Sequence, residues 1–382
     1  MKILYFTNII APYRVGLFNK LNKYFYSNIK FYFDRKTELN REWKIDVNSL
    51  KFNYEIRNTF FYNKVSNASN NSNLQRFIYF PFHIFPVILK EKPSVILSTE
   101  FGLRTLFALI GGKLTGAKVY VLSEVTAQSE KYISNLKLSF RKMLSRLLDG
   151  GIAYGKQSFD YLVKLGFDKT KIIISPDAID NEYFFNLSKN INKSEARNKL
   201  GWSGRDFIFL YVGRFIQIKG LDLLIRTINR FVDTVNNKRI RFVFVGGSES
   251  ELKKLSNNTL SGKIKVYNFT ETEQLIYFYK ASDCFIFPTR NDVWGLVVNE
   301  AVATGLPVAV SRYAGSANDL IEDKISGLVF DPLNEKAFID TLKFCAENPD
   351  KLYKYAEKAK ERLVFFNHDI AAKRIVDFVY SS

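Results

Sequence analysis

Only two cysteines, Cys284 and Cys345, and two histidines, His83 and His368, occur among the 382 residues of this chain. Two cysteines supply neither a disulfide framework nor a Cys-x-x-Cys metal or redox pair. Two histidines leave little from which to build a histidine-rich metal centre. No run of about 18 or more apolar residues is present, so no transmembrane helix is expected. The N-terminus, MKILYFTNII, lacks a full apolar core and cleavage site and reads as a first strand, not a signal peptide. These absences set the expectation of a cytoplasmic protein without a metal or other cofactor.

What is present points to a folded chain of some size. Hydrophobic residues make up 47% of it, which excludes disorder as a whole. The length suffices for two substantial cores. The net charge of +18 is uneven: residues 1–180 hold 27 Lys and Arg against 14 Asp and Glu, and the remainder holds 29 against 24. A basic first half implies an anionic partner, whether nucleic acid, a phospholipid surface or a phosphate-bearing substrate.

Strand and helix signals alternate along the chain, which predicts parallel sheets wound on both faces. Lys2–Phe6 and Ile29–Phe33 read as strands, with a loop at Thr7–Arg14 and a helix through Leu17, Leu21 and Phe25 between them. Residues 60–73, rich in Asn and Ser, read as an exposed loop, and Arg76–Lys90 as an interrupted helix. Ser94–Ser98 and Lys118–Ser123 are strands, the second ending at Glu124. Ile133, Leu136, Phe140, Met143, Leu144 and Leu147 form one helical stripe flanked by Lys131, Lys137, Arg141, Lys142 and Arg146. That stripe either packs on its own domain or, with its basic flanks, rests against anionic lipid. Ser175–Asp180 is turn-rich and marks a boundary near 180. A second alternating series opens with the strand Phe207–Val212.

Two stretches of that second half carry chemistry. Gly213-Arg214 ends the strand, and Lys219-Gly220 precedes the next helix. Two cations at the C-terminal end of one strand neutralise a diphosphate leaving group as its charge develops. Further on stands FPTRNDVWGLVVNEAVATGLP, residues 287–307. Here Cys284–Phe287 reads as a buried strand stopped by Pro288. Val297, Val298, Ala301, Val302 and Leu306 recur at helical spacing. Glu300 therefore lies on a helix near its start, and Asp292 in the loop that feeds it. Gly295 lets a ligand approach the backbone, and the free N–H groups of the opening turn favour an anion. A carboxylate on each side to accept hydroxyl hydrogen bonds suits a sugar joined to a nucleoside diphosphate. Taken alone, an Asp-x7-Glu pair is usually a loop residue and a solvated helix residue.

The surrounding residues resemble the Glu-x7-Glu segment of glycosyltransferase family 4, retaining enzymes of the GT-B fold, with Asp292 in place of the first Glu and Trp-Gly-Leu in place of Phe-Gly-Leu. Gly-Arg-x4-Lys-Gly resembles the family's phosphate loop, Ala314-Gly315-Ser316 its second glycine-containing anion loop, and Pro12-Tyr13-Arg14 its opening loop, here without the usual Gly-Gly pair. The resemblance is densest over residues 206–332. It implies a GT-B protein of two Rossmann-like, doubly wound domains with a cleft between them: 1–180 for the acceptor, 181–365 for the nucleotide sugar, and a last helix at about 366–382 packing back on the first. It implies a donor site of Gly213, Arg214, Lys219, Asp292, Trp294, Gly295, Leu296 and Glu300. Within it Glu300 holds the ribose, Asp292 the sugar hydroxyls, and Arg214 and Lys219 the diphosphate. Retention would follow from front-face attack assisted by the leaving phosphate. On the acceptor side Arg14 is either a phosphate contact or a structural helix-start arginine, and Glu124 either faces the acceptor or is merely solvated. No Asp-x-Asp motif follows an apolar strand, so metal-independent transfer is expected, onto a glycan or lipid-linked precursor of cell-surface polysaccharide at an anionic membrane face. Two rivals stand beside this reading. A GT-B nucleotide-sugar epimerase would need acid and base groups around the sugar. A nucleic-acid-binding protein would fit the charge, yet no helix-turn-helix, zinc or RNA-binding signature is found.

Overall fold

A computed structural model describes residues 1–37, 45–68, 72–234, 239–256 and 262–381. The chain divides into two compact units. Unit 1 takes in Met1–Asn67, Asn73–Ile179 and Phe366–Ser382, and unit 2 takes in Ala68–Ser72 and Asp180–Phe365.

Unit 1 runs β1 (Ile3–Ile9), α1 (Pro12–Tyr24), β2 (Ile29–Arg35), β3 (Asn53–Ile56), β4 (Phe60–Ala68), β5 (Ser72–Phe80), α2 (Ile84–Glu91), β6 (Val95–Thr99), α3 (Leu103–Thr115), β7 (Lys118–Ser123), α4 (Asn135–Leu147), β8 (Gly150–Ala153), α5 (Lys156–Leu165) and β9 (Ile172–Ile174). Among the described residues its main sheet has the order β3-β2-β1-β6-β7-β8-β9, all parallel. Side chains alternate across it, as the pleat demands. Ile3 and Tyr5 of β1 join a core with α1, and Leu4 and Phe6 join another with α2 to α5. Both faces are thus apolar and covered, which is why these strands read as continuous hydrophobic runs.

Three expectations are corrected here. The Asn- and Ser-rich stretch expected as a loop is the strands β4 and β5, which pair in a sheet of their own; residues 69–71 lie outside the described residues. The helix expected over Arg76–Lys90 begins only at Ile84, after β5 and Pro81. The apolar stripe of α4 packs on the domain only in part, through Leu144 in the core and Phe140 against it. Leu136, Met143 and Leu147 are exposed, and the buried face is Arg141, Leu144 and Ser145. Arg141 Nη1 is ion-paired with Glu130 Oε2 at 2.8 Å, so a basic residue lies inward and three apolar ones outward.

Unit 2 runs α6 (Asn181–Ser188), α7 (Lys193–Leu200), β10 (Phe207–Val212), α8 (Leu221–Thr234), β11 (Ile240–Val245), α9 (Glu249–Leu255), β12 (Ile264–Tyr267), α10 (Thr272–Ala281), β13 (Cys284–Phe287), α11 (Leu296–Ala303), β14 (Val308–Ser311), β15 (Leu328–Phe330), α12 (Glu335–Glu347) and α13 (Pro349–Leu363). Its sheet order is β12-β11-β10-β13-β14-β15, again parallel. The chain then returns to unit 1 as α14 (His368–Ser381), which lies against α1. Ala371, Ala372, Ile375, Val376 and Val379 belong to the core that holds Ile3 and Tyr5. His368 Nε2 is 3.0 Å from Tyr13 O and 3.1 Å from Ala178 O, pinning the start of that helix.

Each sheet reverses its winding once, between β1 and β6 in unit 1 and between β10 and β13 in unit 2. Ligands of open α/β sheets bind beyond the strand C-termini at such a reversal.

Candidate functional site

In unit 2 the loops leaving β10 and β13 meet at the reversal. The first carries Gly213 to Gly220, the second Pro288 to Gly295. They touch at Gly220, where φ is +74° and an added Cβ would stand 1.9 Å from Pro288 O. Only glycine permits that approach. Lys219 Nζ donates to Asp292 Oδ2 at 2.5 Å, joining the two loops through the expected cation and carboxylate. Asp292 Oδ1 also accepts from Trp294 N at 3.3 Å. Gly213 N donates to Val245 O, and Tyr211 Oη donates to Arg214 O at 3.1 Å, which fixes the backbone of the exposed Arg214.

Beyond Asp292 the chain enters α11 without a side-chain cap. Gly295 takes a left-handed φ of +92° at the N-cap, and Leu296, half-buried, is the first helical residue. The opening turn keeps the partial positive charge of uncapped N–H groups. Trp294 is buried, and its Nε1 donates to Asn299 Oδ1 at 2.9 Å. It therefore shapes the loop with its ring turned into the protein. The segment is also tied to the loop after β14: Gly315 N donates to Asp292 O and Ser316 N to Trp294 O, both at 2.9 Å. Glu300, in the second turn of α11, accepts from Tyr279 Oη at 2.7 Å. Burial raises its carboxyl to about 6, against the Tyr279 hydrogen bond, which lowers it.

Sequence reasoning missed one residue of this assembly. Arg290 forks onto Asp222 in the first turn of α8, with Nη2 to Oδ2 at 2.6 Å, while Nη1 donates to Gln217 O at 2.7 Å. It clamps the β13 loop to the β10 loop. No local pattern announces a partner 68 positions away.

In unit 1 the two acceptor-side residues are brought together. Arg14, in the first turn of α1 behind Pro12, is buried and ion-paired with Glu124 at the end of β7. Its guanidinium lies 4.7 Å from the centre of the Tyr154 ring, and Nη1 donates to Tyr154 Oη at 3.3 Å. Both residues have a partner within unit 1.

A family model described as "Glycosyl transferases group 1" matches residues 192–362. Those residues fall within unit 2 and contain both loops and α11. In three dimensions the whole chain aligns with the whole chain of Anabaena Alr3699/HepE, a structure in complex with UDP and glucose, at a TM-score of 0.74 and 16% identity. The apo form of the lipopolysaccharide outer core galactosyltransferase WaaB gives 0.71 and 14%, over 100% of this chain and 99% of that one. The fold is GT-B. Curated relatives include D-inositol 3-phosphate glycosyltransferases of Corynebacterium urealyticum, 27% identical over 57% of this chain and 54% of the relative, and of Xylanimonas cellulosilytica, 26% identical over 60% and 56%. The chain spans about half the length of the curated relatives it matches.

Proposed function

We propose that this GT-B protein is a retaining glycosyltransferase of family 4 that moves a sugar from a nucleoside-diphosphate sugar to a glycan or lipid-linked acceptor of cell-surface polysaccharide. The observation that carries the reading is the Lys219–Asp292 pair at the β10/β13 reversal, beside the uncapped start of α11. In this reading Glu300 accepts hydroxyl hydrogens of the ribose, and Asp292 those of the transferred sugar. Arg214, Lys219 and the first turn of α11 face the diphosphate, whose charge grows as the bond from the sugar anomeric carbon to oxygen breaks. The acceptor oxygen forms its bond on the same face, and its proton passes to the departing phosphate oxygen. The structural neighbour in complex with UDP and glucose makes a uridine donor the first to try.

The test is diphosphate release from a panel of nucleotide sugars, with and without added glycan acceptors. A protein that binds none of them overturns the reading. Turnover should persist in excess chelator. A loss restored by Mg²⁺ or Mn²⁺ would replace this account of the leaving group.

We further propose that unit 1 meets an anionic membrane face through α4. Among the described residues no helix is long and apolar enough to cross a membrane. The support is instead the exposed Leu136, Met143 and Leu147, with Tyr132 a turn before them, next to the exposed Lys142 and Arg146. Positions 136, 143 and 147 share one face of α4, and each basic residue near an anionic surface contributes about 1 kcal/mol.

A further inference from the structure

Helix α11 reads LVVNEAVA, apolar but for Asn299 and Glu300. Glu300 is partly open, whereas Asn299 is fully buried. Burying an amide is unfavourable unless it is hydrogen-bonded, and asparagine is a poor helix former. Leucine, with the same branched shape, would suit both the helix and the core better. What the amide provides is a bond across the helix start: Trp294 Nε1 donates to Asn299 Oδ1 at 2.9 Å, while Asn299 Nδ2 has no hydrogen-bond partner among the described residues.

That bond spans the one loose point of the segment. Trp294 precedes the N-cap Gly295, and Asn299 is the fourth residue of the helix. Glycine takes the left-handed turn at 295 without strain, but its backbone freedom leaves the junction weakly fixed. The indole hydrogen bond closes a short ring of chain around it. The main-chain polar atoms of Trp294 are held as well. Its N–H donates to Asp292 Oδ1 at 3.3 Å, and its carbonyl accepts from Ser316 N at 2.9 Å. The loop after β14 leaves no slack, since a Cβ on Gly315 would stand 1.9 Å from Val293 O and 3.0 Å from Trp294 Cα. Trp294 therefore transmits the position of α11 to the Asp292 carboxylate. Its ring is 2% exposed and Asn299 is sealed beneath it, so neither side chain meets a ligand.

We propose that Asn299 is a positioning residue. By holding the Trp294 indole it sets the backbone that opens α11, and with it Asp292, where the sugar and diphosphate of the donor are placed. This rests on the donor-site reading and adds to it a residue that touches no ligand. One consequence runs against the resemblance: exchanging Trp294 for the phenylalanine of the Phe-Gly-Leu pattern is harmful while Asn299 remains, because it strands a buried amide without a partner. Trp294 and Asn299 have to change together.

The experiment compares the full chain with Asn299→Leu, Trp294→Phe and the double variant. The first measurement is nucleotide release from UDP-glucose and other UDP-sugars. Each single variant should lose about tenfold in kcat, the scale of a modest displacement of a preorganised group, with KM changed by less than about threefold, since the diphosphate charge grows only in the transition state. Asn299→Leu should keep the parental Tm. The double variant should lose about tenfold in all and not a hundredfold, because both changes remove one shared contact. The second measurement is amide hydrogen exchange over residues 292–298 without ligand, which either single variant should speed about tenfold or more while β10 and β14 exchange as in the parent. If Asn299→Leu does not fold, Trp294→Phe carries both measurements. The proposal is overturned if the single variants keep parental kcat, if their losses multiply in the double variant, or if exchange over 292–298 is unchanged. A lowered Tm with parental kcat would make Asn299 a residue of the fold alone and overturn it too. A parent that binds neither UDP nor any nucleotide sugar removes the glycosyltransferase reading, and the exchange measurement then decides by itself whether Asn299 fixes this loop.

Discussion

Both units place side chains at the one point where a parallel sheet reverses, yet they finish that point in different ways. In unit 1 the cations are sunk: Arg104, paired with Asp34, is 4% exposed, and Arg14, paired with Glu124, 7%. In unit 2 Arg214 stands in solvent and Lys219 is partly open, while closeness comes from glycine backbone at Gly220 and Gly295. A buried ion pair fixes geometry, because breaking it strands a charge in a poorly polarisable interior. A cation with access to water can exchange its carboxylate partner for a ligand at much lower cost. Unit 1 therefore presents a rigid frame. Unit 2 presents movable charge around a fixed backbone.

Substitutions should separate the two designs. The largest effect is expected at Gly220→Ala, where the new methyl meets Pro288 O and no rotamer relieves it. Urea denaturation should show a loss of about 4 kcal/mol or more. Gly102, in the loop that leaves β6 at the reversal of unit 1, has nothing within 4 Å of an added Cβ, so Gly102→Ala should change stability by under about 0.5 kcal/mol. Equal losses would dissolve the contrast. Next comes Arg104→Ala, which leaves Asp34 buried and unpaired and should cost about 3–5 kcal/mol in the same measurement. In unit 2, Arg214→Ala and Lys219→Ala should instead keep Tm and lower turnover about 10²-fold, the scale of losing one preorganised donor. A variant with parental turnover removes that residue from the site.

Smaller effects sharpen the contrast through pH and surface chemistry. In the proposed reading the ionised Glu300 is the form that accepts ribose hydroxyls, and burial raises its carboxyl to about 6. The kcat/KM for donor should fall as pH drops through about 6, roughly tenfold per unit below it, and Glu300→Gln should lack that limb. For stability the sign is reversed. The folded protein holds this proton more tightly than the unfolded chain, so the ionised carboxylate destabilises above about 6. That penalty disappears below the ordinary value of 4.5. At α4, Leu136→Ser with Met143→Ser should leave Tm unchanged and abolish binding to anionic liposomes. Salt should weaken that binding as the Debye length shrinks from about 10 Å at 0.1 M to about 3 Å at 1 M. Lys142→Gln with Arg146→Gln should act like salt, whereas Arg141→Gln should act on stability, since it breaks the pair with Glu130.

What could be read from the chain follows the range of the interactions involved. The alternation of strands and helices, the strand–loop–helix around Asp292 and Glu300, and the cations after β10 are local patterns, and each stands where its spacing placed it. Contacts across distance were not legible. Arg290 with Asp222, Tyr279 with Glu300, and Arg104 with Asp34 depend on which strands become neighbours. Arg104 also pairs with Glu100, four positions before it, and that spacing is a helical-pair signal that could have drawn notice. The strands β4 and β5 were hidden because Asn and Ser favour turns when nothing else is known, whereas pairing with a neighbouring strand overrides that preference. The stripe on α4 misled for a different reason. Periodicity reports that a helix has an apolar face, but it cannot report which face the protein covers. Here Arg141 finds Glu130, and Leu144 and Phe140 meet the core, so the Leu136, Met143 and Leu147 side of the stripe is left outside.

The return of α14 to unit 1 has a consequence for how the chain is made. On a ribosome the residues of β1 emerge before unit 2, yet the core they enter also requires Ile375 and Val379, which emerge after it. The main stretch of unit 2, Asp180–Phe365, can close while unit 1 is still waiting with one apolar face uncovered. The unit begun first is thus completed second, and its exposed face has to be shielded while residues 180–365 are made. A chain released a few residues short of Ala371 would carry a finished unit 2 attached to a sheet that lacks part of its cover.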